Sequence, residues 1–278
     1  MSASVEADRR RLTAILASME TAVLAFSGGV DSTLVVRAAA DAPGLRFVAL
    51  TTRSPTNTHE EVDEARRLAA AIGAEHLVVE VDELETPGYA DNPAHRCYLC
   101  KETLYPQCER VARERGYAFV GDGVNTDDLG DYRPGLRAAA ERGVRPPLVE
   151  AGLSKAAVRA LSRFYGLATA DRPASPCLSS RFPYGTAITR EGLARVAAAE
   201  AALRRLGFTE LRVRYLGEAA RVEVAAAELE RLALEDVRDK ARDGILAAGF
   251  ARVEFSAVAL RSGSLNDALR PSPRAQPV

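Results

Sequence analysis

No stretch of the chain approaches the ~18–20 consecutive apolar residues that a membrane-spanning helix requires. The polar start, Met1 to Arg11, also lacks the apolar segment of a secretion signal, so a cytoplasmic protein is expected. Cysteine is scarce: four in 278 residues do not make a disulfide framework and read instead as reactive, metal-binding or buried thiols. Histidine is scarcer still, and His59, His76 and His95 show no ligand spacing among themselves. Neither sign of charge is in excess. A formal net charge of −1 provides no electrostatic funnel for DNA or RNA. Fixed-period repeats are absent, which argues against a solenoid. What is present, 47% hydrophobic and 27% charged residues, is ordinary for a soluble globular chain long enough for two domains.

The most informative segment is Ser27-Gly28-Gly29-Val30-Asp31-Ser32, which ends the apolar run Ala22 to Phe26 and opens the apolar-periodic stretch Thr33 to Ala40. A strand that stops at Ser-Gly-Gly and restarts as a helix turns unpaired backbone N–H groups and the positive helix end toward one spot, a phosphate site. Glycine lets the backbone approach phosphate oxygens, Ser27 and Ser32 add hydroxyls, and Asp31 is placed to help hold Mg²⁺. No Gly-Lys-Ser/Thr follows and no Gly-x-Gly-x-x-Gly is formed, so this is neither a Walker nor a Rossmann fingerprint. The six residues resemble the PP-loop of ATP pyrophosphatases, which cleave ATP between the α and β phosphates and adenylate a carboxylate or carbonyl.

Short β-rich runs alternate with helical patterns through the first half. Val23–Phe26, Phe47–Leu50, His76–Val81 and Tyr117–Val120 read as strands, and Ser32–Ala40, His59–Ile72 and Lys101–Arg115 as helices. The expected fold is α/β, a doubly wound parallel sheet, with ligands beyond the carboxyl ends of its strands at Ser27, Thr51, Asp82 and Gly121. A helix over Ser154–Tyr165 leads into a long irregular stretch, Asp171–Thr189. Then come a helix Arg190–Leu206, strands Leu211–Tyr215 and Ala220–Val224, a helix Val237–Gly249 and a strand Arg252–Ala257, a mixed order that predicts a small α+β domain. The expected division is residues 1–185, 186–260 and a disordered tail 261–278 ending in the proline-bearing Arg270–Val278.

Arg96-Cys97-Tyr98-Leu99-Cys100-Lys101 places two thiols three residues apart just before an expected helix start, where the helix field and flanking cations favour thiolate. A redox pair and a zinc site are both compatible with the spacing, although no second Cys-x-x-Cys or paired histidine completes a zinc site. Cys108 is expected in the core. Cys177 lies in Pro176-Cys177-Leu178-Ser179-Ser180-Arg181-Phe182-Pro183-Tyr184-Gly185. This segment, the PP-loop, the run from Gly121 through Asp122, Gly123, Asn125, Asp127 and Asp128 to Gly135, and Arg212-Val213-Arg214 together resemble the LarE family over about residues 8 to 258. That family comprises ATP-dependent sulfur transferases acting on pyridinium-3,5-biscarboxylic acid mononucleotide.

The resemblance implies a two-stage reaction in which a substrate carboxylate attacks the α-phosphorus of ATP, pyrophosphate leaves, and sulfur then displaces AMP to give a thiocarboxylate. Two rounds give the dithio precursor of a nickel-pincer cofactor. It implies ATP and Mg²⁺ bound by Ser27, Gly28, Gly29, Val30, Asp31, Ser32, Gly121, Asp122 and Asn125, with Asp31 and Cys177 catalytic, and Arg181, Arg212 and Arg214 on the substrate. Asp127 and Asp128 are further candidates for orienting metal or substrate. Two sulfur sources exist in the family: sacrifice of the cysteine at the Cys177 position, or a [4Fe–4S] cluster on three cysteines, here matched by Cys97, Cys100 and Cys177. The three matching cysteines favour the cluster. Glu200 and Glu223 match positions linked to divalent metal near a subunit contact, and the family tends toward homo-oligomers, trimer-based hexamers. The competing readings are tRNA thiolation, disfavoured by the charge balance, amidation, for which no glutaminase segment is visible, and a nucleotide sensor, in which the cysteines would be idle.

Overall fold

The computed structural model describes residues 3–130, 133–261 and 263–269. These fall into two compact units: the first takes the described residues up to Thr86 together with His95–Ser175, the second Pro87–Ala94 and the described residues from Pro176 onward. Asp131, Tyr132 and the Arg270–Val278 tail lie outside the described residues, whereas Ser264–Leu269 forms a 3₁₀ turn.

In the first unit the elements run α1 (Ala3–Ala17), β1 (Thr21–Ala25), α2 (Val30–Ala40), β2 (Arg46–Arg53), α3 (His59–Ile72), β3 (His76–Glu80), α4 (Arg96–Arg115), β4 (Phe119–Gly121), α5 (Pro134–Glu141), α6 (Pro147–Glu150) and α7 (Lys155–Phe164). All strand pairs of the four-stranded sheet are parallel, in the order β3-β2-β1-β4. The alternation of side chains along each strand divides the core. Ala22, Leu24, Phe26 and Ala49 pack with Leu34 of α2, Ala65 and Ala69 of α3, Leu12 and Leu16 of α1 and Leu161 of α7. Val23, Val48 and Leu50 meet Cys108, Val111 and Ala112 of α4 on the other side. Helices therefore cover both faces, the doubly wound arrangement expected of a parallel sheet. The strand order reverses between β1 and β4, which is where such sheets bind ligands.

Local chemistry explains the helix ends. Thr58 and Glu61 form a reciprocal capping box at the start of α3, and Gly73 closes that helix at φ +79°. Ser154 caps α7 as expected, its hydroxyl accepting from Ala157 N–H at 3.3 Å. One boundary differs: α4 begins at Arg96, not Lys101, and runs through Pro106. Cys97 and Cys100 thus sit within its first turns instead of ahead of it. The run Cys-Tyr-Leu-Cys carries no helical start signal of its own, and the chain enters the helix at His95, whose carbonyl accepts from Tyr98 N–H at 2.8 Å.

The second unit holds α8 (Arg190–Arg205), β5 (Leu211–Leu216), β6 (Ala219–Val224), α9 (Leu229–Ala233), α10 (Glu235–Ala247) and β7 (Arg252–Phe255). Its three-stranded sheet pairs β5 and β6 antiparallel and β6 and β7 parallel. Leu203, Val213, Val222 and Ile245 are fully buried, and Phe182 stacks on Tyr215 with ring centroids 4.5 Å apart. Asn92, itself buried and at φ 55°, ties the 87–94 segment to this unit by donating to the carbonyls of Pro183 at 2.7 Å and Thr186 at 3.1 Å.

Candidate active site

In the first unit β1 delivers the chain to Ser27, and α2 leaves from Gly29, its N-cap. Gly28 takes φ +73°, a left-handed conformation that suits glycine. The first N–H groups of α2 have no carbonyl four residues behind them, which leaves the loop a cradle of donors at the positive helix end. Ser32 Oγ accepts from Ser27 N–H at 3.2 Å and lies 3.1 Å from Ser27 Oγ, so the two expected hydroxyls hold the bend together. Behind the loop, Thr51 Oγ1 donates its single proton to the Phe26 carbonyl at 2.5 Å, so His76 Nε2, 2.8 Å away, must be the donor to Thr51. Burial lowers the His76 pKa, with the Arg66 charge adding to it, which favours the neutral ring.

The loop after β4 closes over this bend. A Cβ on Gly123 would lie 2.8 Å from Ser32 N and 3.0 Å from its Cα, so only glycine permits the approach. Asn125, 2% exposed, donates from Nδ2 to Asp31 Oδ1 at 3.1 Å. The acidic residues of the segment mostly build its turns: Asp122 Oδ1 accepts from Val124 N–H at 3.1 Å, and Asp128 Oδ2 from Asn125 N–H at 3.1 Å. Asp122 Oδ2 accepts from Tyr105 Oη at 2.8 Å, and Asp128 pairs with Arg133 at 2.8 Å. Burial, with Asp122 beside it, raises the Tyr105 pKa and keeps that donor protonated. Asp127 Oδ2 accepts from Lys155 N–H at 3.2 Å, and Lys155 Nζ forms an ion pair with Asp31 Oδ2. Sequence reasoning missed Lys155 and Tyr105, because Lys155 lies 124 residues from Asp31 and follows only a generic capping serine.

Cys97 is exposed, Cys100 half-buried and Cys108 fully buried, and none of the three is in a disulfide. Burial pushes the Cys108 thiol up to about 12, as befits a core residue that ionises at no working pH. Cys100 Sγ lies 4.0 Å from Oε1 of Glu83, a buried carboxyl whose Oε2 has no hydrogen-bond partner and whose pKa burial raises.

In the second unit Cys177 N-caps the 3₁₀ turn Leu178–Arg181 and is half-buried. Arg181, 3% exposed, forms a bidentate pair with the fully buried Glu200 at 2.7 and 2.9 Å. Its other nitrogen donates to the carbonyls of Pro176 and Cys177, the latter at 3.1 Å. Glu200 also accepts from Val213 N–H at 3.1 Å and from Arg204 at 3.1 Å. Arg214 pairs with Glu223 at 2.8 Å and donates to the Ser180 carbonyl at 3.0 Å. Arg181 and Arg214 therefore clamp the cysteine turn from both sides, each neutralised by one of the two glutamates expected to bear on metal. Arg212 shares the strand face of Arg214 but differs in kind: it is 7% exposed and makes no hydrogen bond or ion pair among the described residues. Burial lowers its pKa, and the charges of Arg214 and Arg181 lower it further.

Among the described residues no three His, Cys, Asp or Glu side chains gather to hold a metal ion. For Mg²⁺ this is no obstacle, since that ion typically takes one or two carboxylates and completes its shell with phosphate oxygens and water, and Asp31 is the carboxylate at the loop that could supply one. For a cluster the donors fit in kind, thiols outside any disulfide with Cys97 and Cys100 a turn apart on α4, but among the described residues they do not form a gathered set.

The asparagine synthase family model matches residues 14–99, which include the Ser27–Ser32 bend and Cys97. The pyridinium-3,5-bisthiocarboxylic acid mononucleotide synthase of Lactiplantibacillus plantarum is 37% identical over 96% of this chain and 96% of its own. An uncharacterized protein of Synechocystis sp. is 42% identical over 95% of this chain and 99% of its own. A second uncharacterized protein, from Methanocaldococcus jannaschii, is 26% identical over 73% of this chain and 77% of its own. With the phosphate cradle in place and identity of this extent over nearly its whole length, the chain belongs to the LarE family of ATP-dependent sulfur transferases.

Proposed function

We propose that the protein adenylates a carboxylate of pyridinium-3,5-biscarboxylic acid mononucleotide and converts it to a thiocarboxylate. A carboxylate oxygen attacks the α-phosphorus of ATP and the bond to the β-phosphate oxygen breaks, releasing pyrophosphate. A sulfur nucleophile then attacks the acyl carbon, and AMP departs with the bonding pair. A free carboxylate has no competent leaving group, whereas the mixed anhydride does. The N–H cradle of Gly28 to Ser32 stabilises charge on the phosphates, and Asp31 takes Mg²⁺. Arg212 takes the substrate phosphate: a buried guanidinium with no hydrogen bond or ion pair among the described residues suits an incoming dianion. The clamps on Pro176, Cys177 and Ser180 fix the turn that carries the Cys177 sulfur.

For the sulfur source the reading takes Cys97, Cys100 and Cys177 as the residues that would hold a [4Fe–4S] cluster, which when bound would supply sulfide for the transfer. The thiol inventory supports this choice, and the rival is loss of sulfur from Cys177 itself. The same reading takes the protein as a homo-oligomer. The observation that carries the proposal is the Ser27–Ser32 cradle with Asp31 at its mouth, in a chain 37% identical to a named synthase of this chemistry. Anaerobic reconstitution followed by mass analysis tests it. Pyrophosphate release should depend on the pyridinium substrate, and the product should carry sulfur for oxygen. Brown protein absorbing broadly near ~400 nm, bleached by Cys97→Ala, supports the cluster; colourless protein that loses about 34 Da per sulfur delivered, the mass of H₂S, supports the sacrificial route. No release with that substrate overturns the proposal.

A further inference from the structure

Asp31 is the residue on which Mg²⁺ is expected, yet both of its oxygens are occupied. Oδ1 accepts from Asn125 Nδ2 at 3.1 Å, and Oδ2 is paired with Lys155 Nζ. An amide N–H leaves a carboxylate oxygen further lone pairs for a metal ion, whereas an ammonium opposes a second cation by its charge, so Lys155 is the partner with which the metal competes. Asn125 is fixed: it is 2% exposed, its N–H donates to Asp128 Oδ2 at 3.1 Å, and its own Oδ1 accepts from Asp127 N–H at 3.0 Å. Lys155 is fixed only at its backbone, where its N–H donates to Asp127 Oδ2 at 3.2 Å at the start of α7. Its side chain is 33% exposed and ends in a rotatable ammonium on a four-carbon stem. The remaining acids of this loop already have partners, Asp122 in Tyr105 and Asp128 in Arg133.

We propose that Lys155 is a transferable counter-ion: it neutralises Asp31 in the nucleotide-free protein, yields that carboxylate to Mg²⁺, and passes to the phosphates of the arriving ATP. The inference rests on the reading that ATP and Mg²⁺ bind at this loop. An ammonium anchored beside the cradle and freed from Asp31 faces a polyanion within the length of its own side chain. The exchange keeps a cation on Asp31 at every stage, so no uncompensated carboxylate sits at the loop before nucleotide arrives. It also gives the metal a competitor that must be displaced, which makes metal and nucleotide binding mutually dependent.

The test uses the full-length protein and Lys155→Met, with Mn²⁺ binding followed by electron paramagnetic resonance and α,β-methylene-ATP binding by calorimetry. Without nucleotide, Lys155→Met should bind Mn²⁺ at least about threefold more tightly than wild type, because the competing cation is gone. Its affinity for the Mg²⁺ complex of the analogue should fall about tenfold, the loss of one charge-assisted contact. Opposite changes are not produced by a loop that has merely lost its shape. Lys155→Arg should stay near wild type in Mn²⁺ binding, and it carries the test should the methionine variant not fold: a Mn²⁺ affinity for Lys155→Arg as tight as that expected of the methionine variant overturns the proposal. So does an unchanged pair of affinities, or a parallel loss of both, in Lys155→Met. Wild type that binds no analogue would instead overturn the reading of the loop itself.

Discussion

Arg212 and His76 show what a single residue owes to its surroundings. Arg212 is buried beside two other guanidinium groups and has no partner among the described residues, a costly arrangement unless an anion arrives. Arg212→Gln is expected to raise the KM for the pyridinium substrate by about tenfold or more while leaving that for ATP unchanged; steady-state kinetics with each substrate varied checks this. His76 is held neutral by burial, below its ordinary value of 6.5. The unfolded chain therefore takes up a proton that the folded chain refuses, so the stability it contributes is present above about pH 6.5 and is lost as pH falls through the lower folded value. The urea midpoint should drop between pH 7.5 and pH 5, and less so in His76→Gln. The sequence marked Arg212 by its alternation with Arg214, but nothing in it distinguished the unpaired arginine from its partnered neighbour. That difference arises because Glu223, opposite Arg212 in the β5–β6 register, bonds Arg214 instead.

At the scale of elements, the PP-loop is a composite of β1, α2 and the loop after β4. Gly123→Ala would push a methyl into Ser32 of another segment, at 2.8 Å from its nitrogen. We expect nucleotide affinity to fall about tenfold and stability to fall by about 1–3 kcal/mol, read by calorimetry and urea titration. Thr58→Ala is the contrasting case. It removes the capping box of α3 and should cost about 1 kcal/mol of stability with the KM for ATP unchanged. Caps and strands were legible because they depend on residues a few positions apart. The start of α4 was not, since no local signal separates Arg96 from Lys101 and the entry is set where His95 turns the chain.

At the scale of the whole molecule, the near balance of charge, −1 overall, offers no electrostatic footprint for tRNA. Nucleic-acid affinity rests on releasing counterions with clustered cations, and the arginines described above are largely committed to carboxylates, as in the Arg142 pairs with Glu102 and Glu109 at 2.9 and 3.1 Å. Pyrophosphate release should therefore respond to the pyridinium mononucleotide and remain at background with bulk tRNA at ~150 mM salt, where the Debye length is about 8 Å.

The sequence by itself determined the parallel α/β sheet, the glycine-bearing bend between β1 and α2, and the family, because hydrophobic period, glycine placement and short motifs act over a few residues. Tertiary structure alone decided which cation meets Asp31, which glycine must pass Ser32 and which arginine has no ion pair among the described residues. Those outcomes depend on contacts between segments up to 124 residues apart, and on burial, which converts an ordinary side chain into one whose charge must be answered.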